Sequence, residues 1–313
     1  MLEIHLPVAD TTVFAPWVVL LGASVGFLSG LFGVGGGFIL TPMLNILFGI
    51  PYNVAAGSDL AQMLGTSVSA TSRHRGFGHV DVRLGLCMLA GAWLGTELGA
   101  RVVEFLKIVG RITVAGRELS GLDLFIPLAF LVLLSVIGTV VLRESLRARK
   151  RPPRGGAVET PIIKWVQGIR LPPMISLRTS GIRISIWILI GIGFATGFLA
   201  GFMGIGGGFV LMPTLIYVIG VPTTMAIGTG LFYIMFVAAF GSYTHALKGN
   251  VDLVLAVLLL LGSIFGAQVG AWLTEKVRGA KIRYWFSLAV FVSAIAVLAK
   301  LVVQLGVLGS PGS

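Results

Sequence analysis

Two stretches of this chain carry residues able to hold an anion without any charged side chain. Phe32–Leu40 reads FGVGGGFIL and Met203–Leu211 reads MGIGGGFVL. Three consecutive glycines interrupt an apolar run in each: Gly35, Gly36 and Gly37, then Gly206, Gly207 and Gly208. Glycine costs a helix ~1 kcal/mol relative to alanine, so the run breaks there. A helix restarting after such a turn presents its first amide N–H groups without partners. That end also carries about half a positive elementary charge. Together these features suit an oxyanion, which the absent side chains let approach the backbone. Close helix packing also uses glycine, but at one-turn spacing rather than three in a row. These six glycines are therefore the candidate substrate-binding residues.

The elements that must position them belong to a membrane. The chain is 56% hydrophobic and 11% charged, with mean hydropathy +0.98, whereas soluble domains average about 25% charged. Apolar runs of about 20 residues, enough to cross ~30 Å of hydrocarbon, recur along it. The formal net charge of +11 lies mostly in a few connections. That placement fits the positive-inside rule and argues against nucleic acid as a partner. Cys87 is the only cysteine, so there is no intrachain disulfide. His5, His74, His79 and His245 show no zinc spacing, and neither a metal nor a cofactor is expected. GVGGGF does not complete a dinucleotide fingerprint, and no Gly-Lys-Ser/Thr follows either turn. No Ser, His and acid trio stands out, so an enzyme is not expected. The N-terminus lacks the basic region of a cleaved signal peptide.

Shifted by 171 residues, the sequence overlays itself without a gap. Between Gly26 and Pro51, 14 of 26 positions match their partners. The match extends to Gly57 with Gly228, His74 with His245, and Asp81 with Asp252. Each copy reads as five hydrophobic segments: 16–33, 34–49, 55–73, 82–105 and 122–142, then 184–204, 205–219, 225–246, 251–275 and 284–306. An odd number per copy inverts the second copy in the membrane. The fold class is thus an all-α polytopic membrane protein of two inverted five-segment repeats with glycine-broken short or re-entrant helices. Residues 16–142 form the first repeat and 184–307 the second. A basic cytoplasmic linker, 143–183, joins them, between tails 1–15 and 308–313. This arrangement puts 17 of the 23 lysines and arginines on the cytoplasmic side, with Lys107–Arg117 as the basic exception outside. Interrupted helices in inverted repeats are the recurring plan of secondary transporters.

GFLSGLFGVGGGFILTPML and GFLAGFMGIGGGFVLMPTL are each followed by an H-x-x-x-G-x-V-D stretch, at His74–Asp81 and His245–Asp252. These doubled motifs resemble the TauE/SafE family of anion permeases, over about 16–107 and 184–306. The resemblance implies transport, commonly export, of sulfite, organosulfonates or other small anions across the plasma or inner membrane. The expected mechanism is alternating access, with the anion held at the glycine-rich helix starts. A channel using the same turns as a filter is the alternative.

Other polar residues refine the expectation. The third segment carries Asp59, Gln62, Thr66 and Ser69, whereas its counterpart is mostly apolar. Thr66 and Ser69 are candidate substrate hydroxyls, although such hydroxyls also bond back to their own helix. Glu97 sits near mid-segment, where ionisable side chains are costly and functional by default. Glu97 and Asp59 are the candidates for proton coupling. His74 and His245, with Asp81 and Asp252, are expected to order or gate the turns that follow the third segments.

Overall fold

Glycine and proline punctuate the helices. The computed structural model describes residues 2–108, 111–114, 117–150, 160–177, 179–203 and 206–304. In the first copy, α1 (Ala15–Phe32) stops at left-handed Gly33, and α2 (Gly37–Phe48) at left-handed Gly49. Pro51 precedes α3 (Tyr52–Gly76), and α4 (Val82–Ile108) and α5 (Gly121–Lys150) follow. A short helix, α6 (Pro161–Gly168), lies between the copies. The second copy contains α7 (Ile186–Met203) and α8 (Gly208–Thr214), the latter continuing as a π-helical turn over Leu215–Ile219. It ends with α9 (Thr223–Leu247), α10 (Leu253–Lys276) and α11 (Gly279–Gln304). Every hydrophobic segment expected from the sequence contains a helix, while residues 204–205 and the end beyond 304 lie outside the described residues. So do the 308–313 tail and residues 151–159 of the linker.

Among the described residues, six helices, α1, α5, α7, α9, α10 and α11, are long and apolar enough to cross a membrane. The 12-residue α2 spans only ~18 Å at ~1.5 Å per residue, well short of ~30 Å of hydrocarbon. The chain is an all-α, multi-pass membrane protein.

Three two-stranded antiparallel hairpins were not anticipated: β1–β2 (Glu3–Leu6, Thr11–Phe14), β3–β4 (Arg111–Val114, Arg117–Ser120) and β5–β6 (Met174–Leu177, Ile182–Ser185). The first and third are offset by 171 residues throughout, so the duplicated structure reaches into segments read as tail and linker. Similarly, α5 continues to Lys150, past the expected linker start at 143.

The glycine stripes dictate which helices meet. A methyl added to Gly22, Gly26 or Gly30 of α1 would strike the backbone of Leu259, Ser263 or Ala267 in α10. Methyls on Gly262, Gly266 and Gly270 would strike Val19, Ala23 and Phe27 in return. The contact recurs with the copies exchanged. Gly91, Gly95 and Gly99 of α4 meet Ile190, Phe194 and Phe198 of α7, while Gly193, Gly197 and Gly201 meet Met88, Ala92 and Thr96. In lipid, where apolar burial does not drive helix association, such close backbone approach supplies the packing. Each copy's first helix therefore pairs with the other copy's fourth. Between these pairs α3 lies against α9, and α5 packs against α11.

Candidate functional site

The two glycine turns converge. Gly35 and Gly36 have φ of +77° and +85°, and Gly206 and Gly207 have +67° and +66°, values that glycine adopts without the usual steric cost. The Gly36 carbonyl accepts the Ile39 and Leu40 amides at 3.0 and 3.1 Å. The Gly207 carbonyl accepts those of Val210 and Leu211 at 3.2 and 3.1 Å. The amides of Gly37 and Phe38, and of Gly208 and Phe209, thus precede any acceptor within their own helices. A Cβ at Gly35 or at Gly206 would lie 2.7 Å from the same atom, Met63 Sδ of α3. Ile234, the α9 counterpart of Met63, borders both positions as well. Beside them the Phe38 and Phe209 rings, also counterparts, stack at 5.9 Å.

A polar ladder climbs α3 beside this junction. Asp59, fully buried, accepts from Thr41 Oγ1 of α2 at 2.9 Å and from Gln62 Nε2 at 2.8 Å. Thr66 Oγ1 donates to Gln62 Oε1 at 2.7 Å, and Ser263 of α10 donates to the same oxygen at 3.0 Å. The Thr66 and Ser263 hydroxyls are 2.6 Å apart. Higher up, Gln268 Nε2 donates to the Ser69 hydroxyl at 2.8 Å, and Arg73 reaches Gln268 Oε1 at 3.4 Å. Residues 59, 62, 66, 69 and 73 share one helix face and span ~21 Å at ~1.5 Å per residue. Thr66, Ser69 and Asp59 thus fall on one line. Thr41, Gln62, Ser263 and Gln268 complete it.

The H-x-x-x-G-x-V-D loops fasten the copies together. Asp81 Oδ1 caps α4 through the Leu84 amide at 3.1 Å. Its Oδ2 accepts from the Ser180 hydroxyl at 2.8 Å, in the β5–β6 turn. Asp252 Oδ1 likewise caps α10 through Leu255 N at 3.1 Å, and Oδ2 accepts Val8 N at 2.9 Å, in the β1–β2 turn. A Cβ at Gly57 would strike the Asn250 carbonyl, and one at Gly228 the His79 carbonyl. His74 and Asp81, both expected to order this turn, do so through different partners. The His74 ring meets the Gly30 carbonyl of α1 at 3.1 Å and His79 Nδ1 at 3.4 Å. Desolvation holds His79 below the usual imidazole range, with Glu275 opposing. His245 borders a small cavity with Thr96, Gly201, Val237 and Thr244.

Glu97 stands apart from all of this. Its side chain is 44% exposed and ion-paired with Arg101 at 2.8 Å, one turn along α4. Among the described residues, no group of His, Cys, Asp and Glu could hold a metal ion.

A buried polar line beside two broken helices is the architecture of a membrane transport protein, and the comparisons with known proteins agree. The family model for the sulfite exporter TauE/SafE matches residues 18–297. The probable membrane transporter protein YunE of Bacillus subtilis is 26% identical over 268 residues, covering 83% of this chain and 89% of the relative. YjnA of the same organism, also a probable membrane transporter protein, is 27% identical over 292 residues, covering 90% and 98%. A probable membrane transporter protein of Xylella fastidiosa strain Temecula1 is 28% identical over 283 residues, covering 88% and 92%. No solved structure matches. The chain belongs to the sulfite exporter TauE/SafE family and is a membrane transporter.

Proposed function

We propose that the protein is a secondary transporter exporting small oxyanions of the sulfite and organosulfonate class by alternating access. In this reading the anion is held between the amides that open α2 and α8. The observation that carries it is the meeting of both glycine turns at Met63 Sδ, 2.7 Å from the Cβ positions of Gly35 and Gly206. Positive φ demands glycine at four of the six positions whatever binds there. The case for an anion therefore rests on two glycine turns that meet at one place, each opening a helix, with hydroxyls of the α3 ladder alongside. Met63 packed between the turns favours a carrier over an open filter.

The copies are inverted relative to one another in the membrane. Asn53, at the start of α3, bonds Asn250 at 2.7 Å beside the β1–β2 hairpin. Asp81, beyond the far end of α3, holds the β5–β6 hairpin, so equivalent hairpins sit at opposite ends of the bundle. The moving bodies are the α1–α10 and α4–α7 pairs rather than the copies, because the glycine contacts lock helices of different copies together.

Asp59 is the coupling carboxylate. It is buried on the ladder and bonded by Thr41 and Gln62 without a cation, whereas Glu97 is neutralised by Arg101 at the side of the bundle.

Reconstitution into proteoliposomes loaded with sulfite or a short alkanesulfonate tests the reading. Saturable efflux, counterflow and acceleration by a proton gradient are expected. Conductance that rises linearly with concentration would replace the carrier with a channel. Absence of flux for every sulfite and sulfonate offered would overturn the substrate class.

A further inference from the structure

Besides the α3 ladder, a second polar cluster has no twin in the other copy. Arg283, the fifth residue of α11, is only 2% exposed and is the largest fully buried side chain of the described residues. One terminal guanidinium nitrogen donates to the Thr223 hydroxyl at the start of α9, while its Nε is buried with no acceptor. Tyr217, six residues before Thr223, lies in the π-helical turn after α8, which contacts α9. The Tyr217 hydroxyl is buried and has no partner either. The acid nearby, Glu144 of α5, is bonded to Arg147 at 2.8 Å. No described carboxylate forms an ion pair with Arg283.

A buried guanidinium without an ion-pair partner is costly, and so is each unsatisfied donor around it. Both costs are relieved by one ligand that is negatively charged and accepts several hydrogen bonds. An oxyanion does this, since guanidinium pairs with sulfonate-like or phosphate-like groups through two parallel N–H bonds. Tyr217 supplies an O–H, and Thr223, already accepting from Arg283, keeps its own O–H to donate. The α6 helix is fastened over the same turn. Thr160 donates to the Tyr217 carbonyl and Gln167 to the Ile219 carbonyl, both at 2.9 Å.

The corresponding first-copy residues are Ile46, Tyr52 and, by position in the last helix, Phe125, which cannot form such a cluster. The glycine turns occur in both copies and this arrangement in one, and none of its three residues borders those turns. We infer that Arg283, Tyr217 and Thr223 form a second oxyanion site, one per chain, beneath α6 and separate from the glycine turns. Its occupant is a free small oxyanion or the phosphate of an acidic lipid headgroup. The inference does not depend on the transport reading above.

Thermal unfolding of the full chain tests it in two arms, with Tyr217→Phe and Arg283→Gln beside the parent. One arm titrates methanesulfonate into protein in neutral detergent. The other compares nanodiscs of phosphatidylcholine with nanodiscs containing phosphatidylglycerol. The parent midpoint should rise in one arm, and that arm identifies the source of the ligand. In the same arm Tyr217→Phe should weaken the apparent affinity about tenfold, although it removes only an unpartnered hydroxyl and should fold normally without ligand. Arg283→Gln should abolish the rise. If the parent midpoint rises in neither arm, or rises equally in Tyr217→Phe, the site does not exist. Flux measured on the same Tyr217→Phe preparation reports on the central site independently.

Discussion

The backbone amide of Asp252 donates to the Ser58 hydroxyl at 2.9 Å, joining the second copy to the first. At the equivalent place, 171 residues away for each partner, the Asp81 amide donates to Thr229 at the same distance. Each aspartate therefore caps its own helix, holds the other copy's hairpin turn, and is itself held by the other copy's third segment. Because both carboxylates are buried acceptors, Asp81→Ala and Asp252→Ala should each destabilise the protein by about 1–3 kcal/mol. The asparagine variants should cost less, since one side-chain oxygen remains. Unfolding midpoints of detergent-purified protein decide this, and midpoints within error of the parent would mean that the latch does not hold the copies.

The glycine stripes make a second expectation, and one with an internal control. Gly95→Ala would place its methyl 2.7 Å from Phe198 N, against backbone that cannot move aside. It should cost about 1–3 kcal/mol as overpacking and lower the yield of monodisperse protein. Gly191→Ala, where a Cβ has nothing within 4 Å, should leave that yield unchanged or raise it.

Met63 is expected to set the size of the ion that passes. Met63→Ala removes the side chain lying between the turns and should extend export from short alkanesulfonates to longer ones. Relative rates across a series from methane- to butanesulfonate would show it. A profile identical to the parent's in folded Met63→Ala would place the selective contact elsewhere. Glycine substitutions serve this purpose poorly. Gly36→Ala would push a methyl into Val25 and strain a φ of +85°, so loss of binding there would not separate ligand contact from misfolding.

Coupling separates the two carboxylates. Asp59→Asn should retain anion binding and lose acceleration of efflux by a proton gradient, while Glu97→Gln should keep both. The reverse pattern would return the coupling role to Glu97.

Sidedness follows from the inversion. In a Cys87→Ala background, Leu171→Cys should label only from the cytoplasm and Lys248→Cys only from outside. Labelling of both from one side would remove the inverted arrangement.

Helix positions were legible because apolar runs and glycine or proline stops are local signals. The partners of the glycine stripes were not, since Gly22, Gly26 and Gly30 mark a contact face without naming what covers it. The hairpins escaped notice because Glu3–Phe14 and Met174–Ser185 share only Ile4/Ile175 and Leu6/Leu177, and four-residue strands are too short to show alternation. The ladder was half visible. Thr66, Ser69 and Asp59 drew attention by type, whereas the 59, 62, 66, 69 and 73 spacing also marks Gln62. Arg101, four residues after Glu97, was the signal of an ion pair on the helix flank. Depth in a segment says how costly a carboxylate is, but not which way it faces.

The crossed helix pairs also impose an order on biosynthesis. α1 is among the first helices made, yet the surface that covers its glycine face, α10, begins at Leu253, more than two hundred residues later. Until then α1 stands in the lipid with its backbone-lined groove open. A chain arrested after α9 would hold α4 and α7 closed together while α1 remained without its mate. Completion of the protein is thus the docking of nearly the last helix synthesised onto the first.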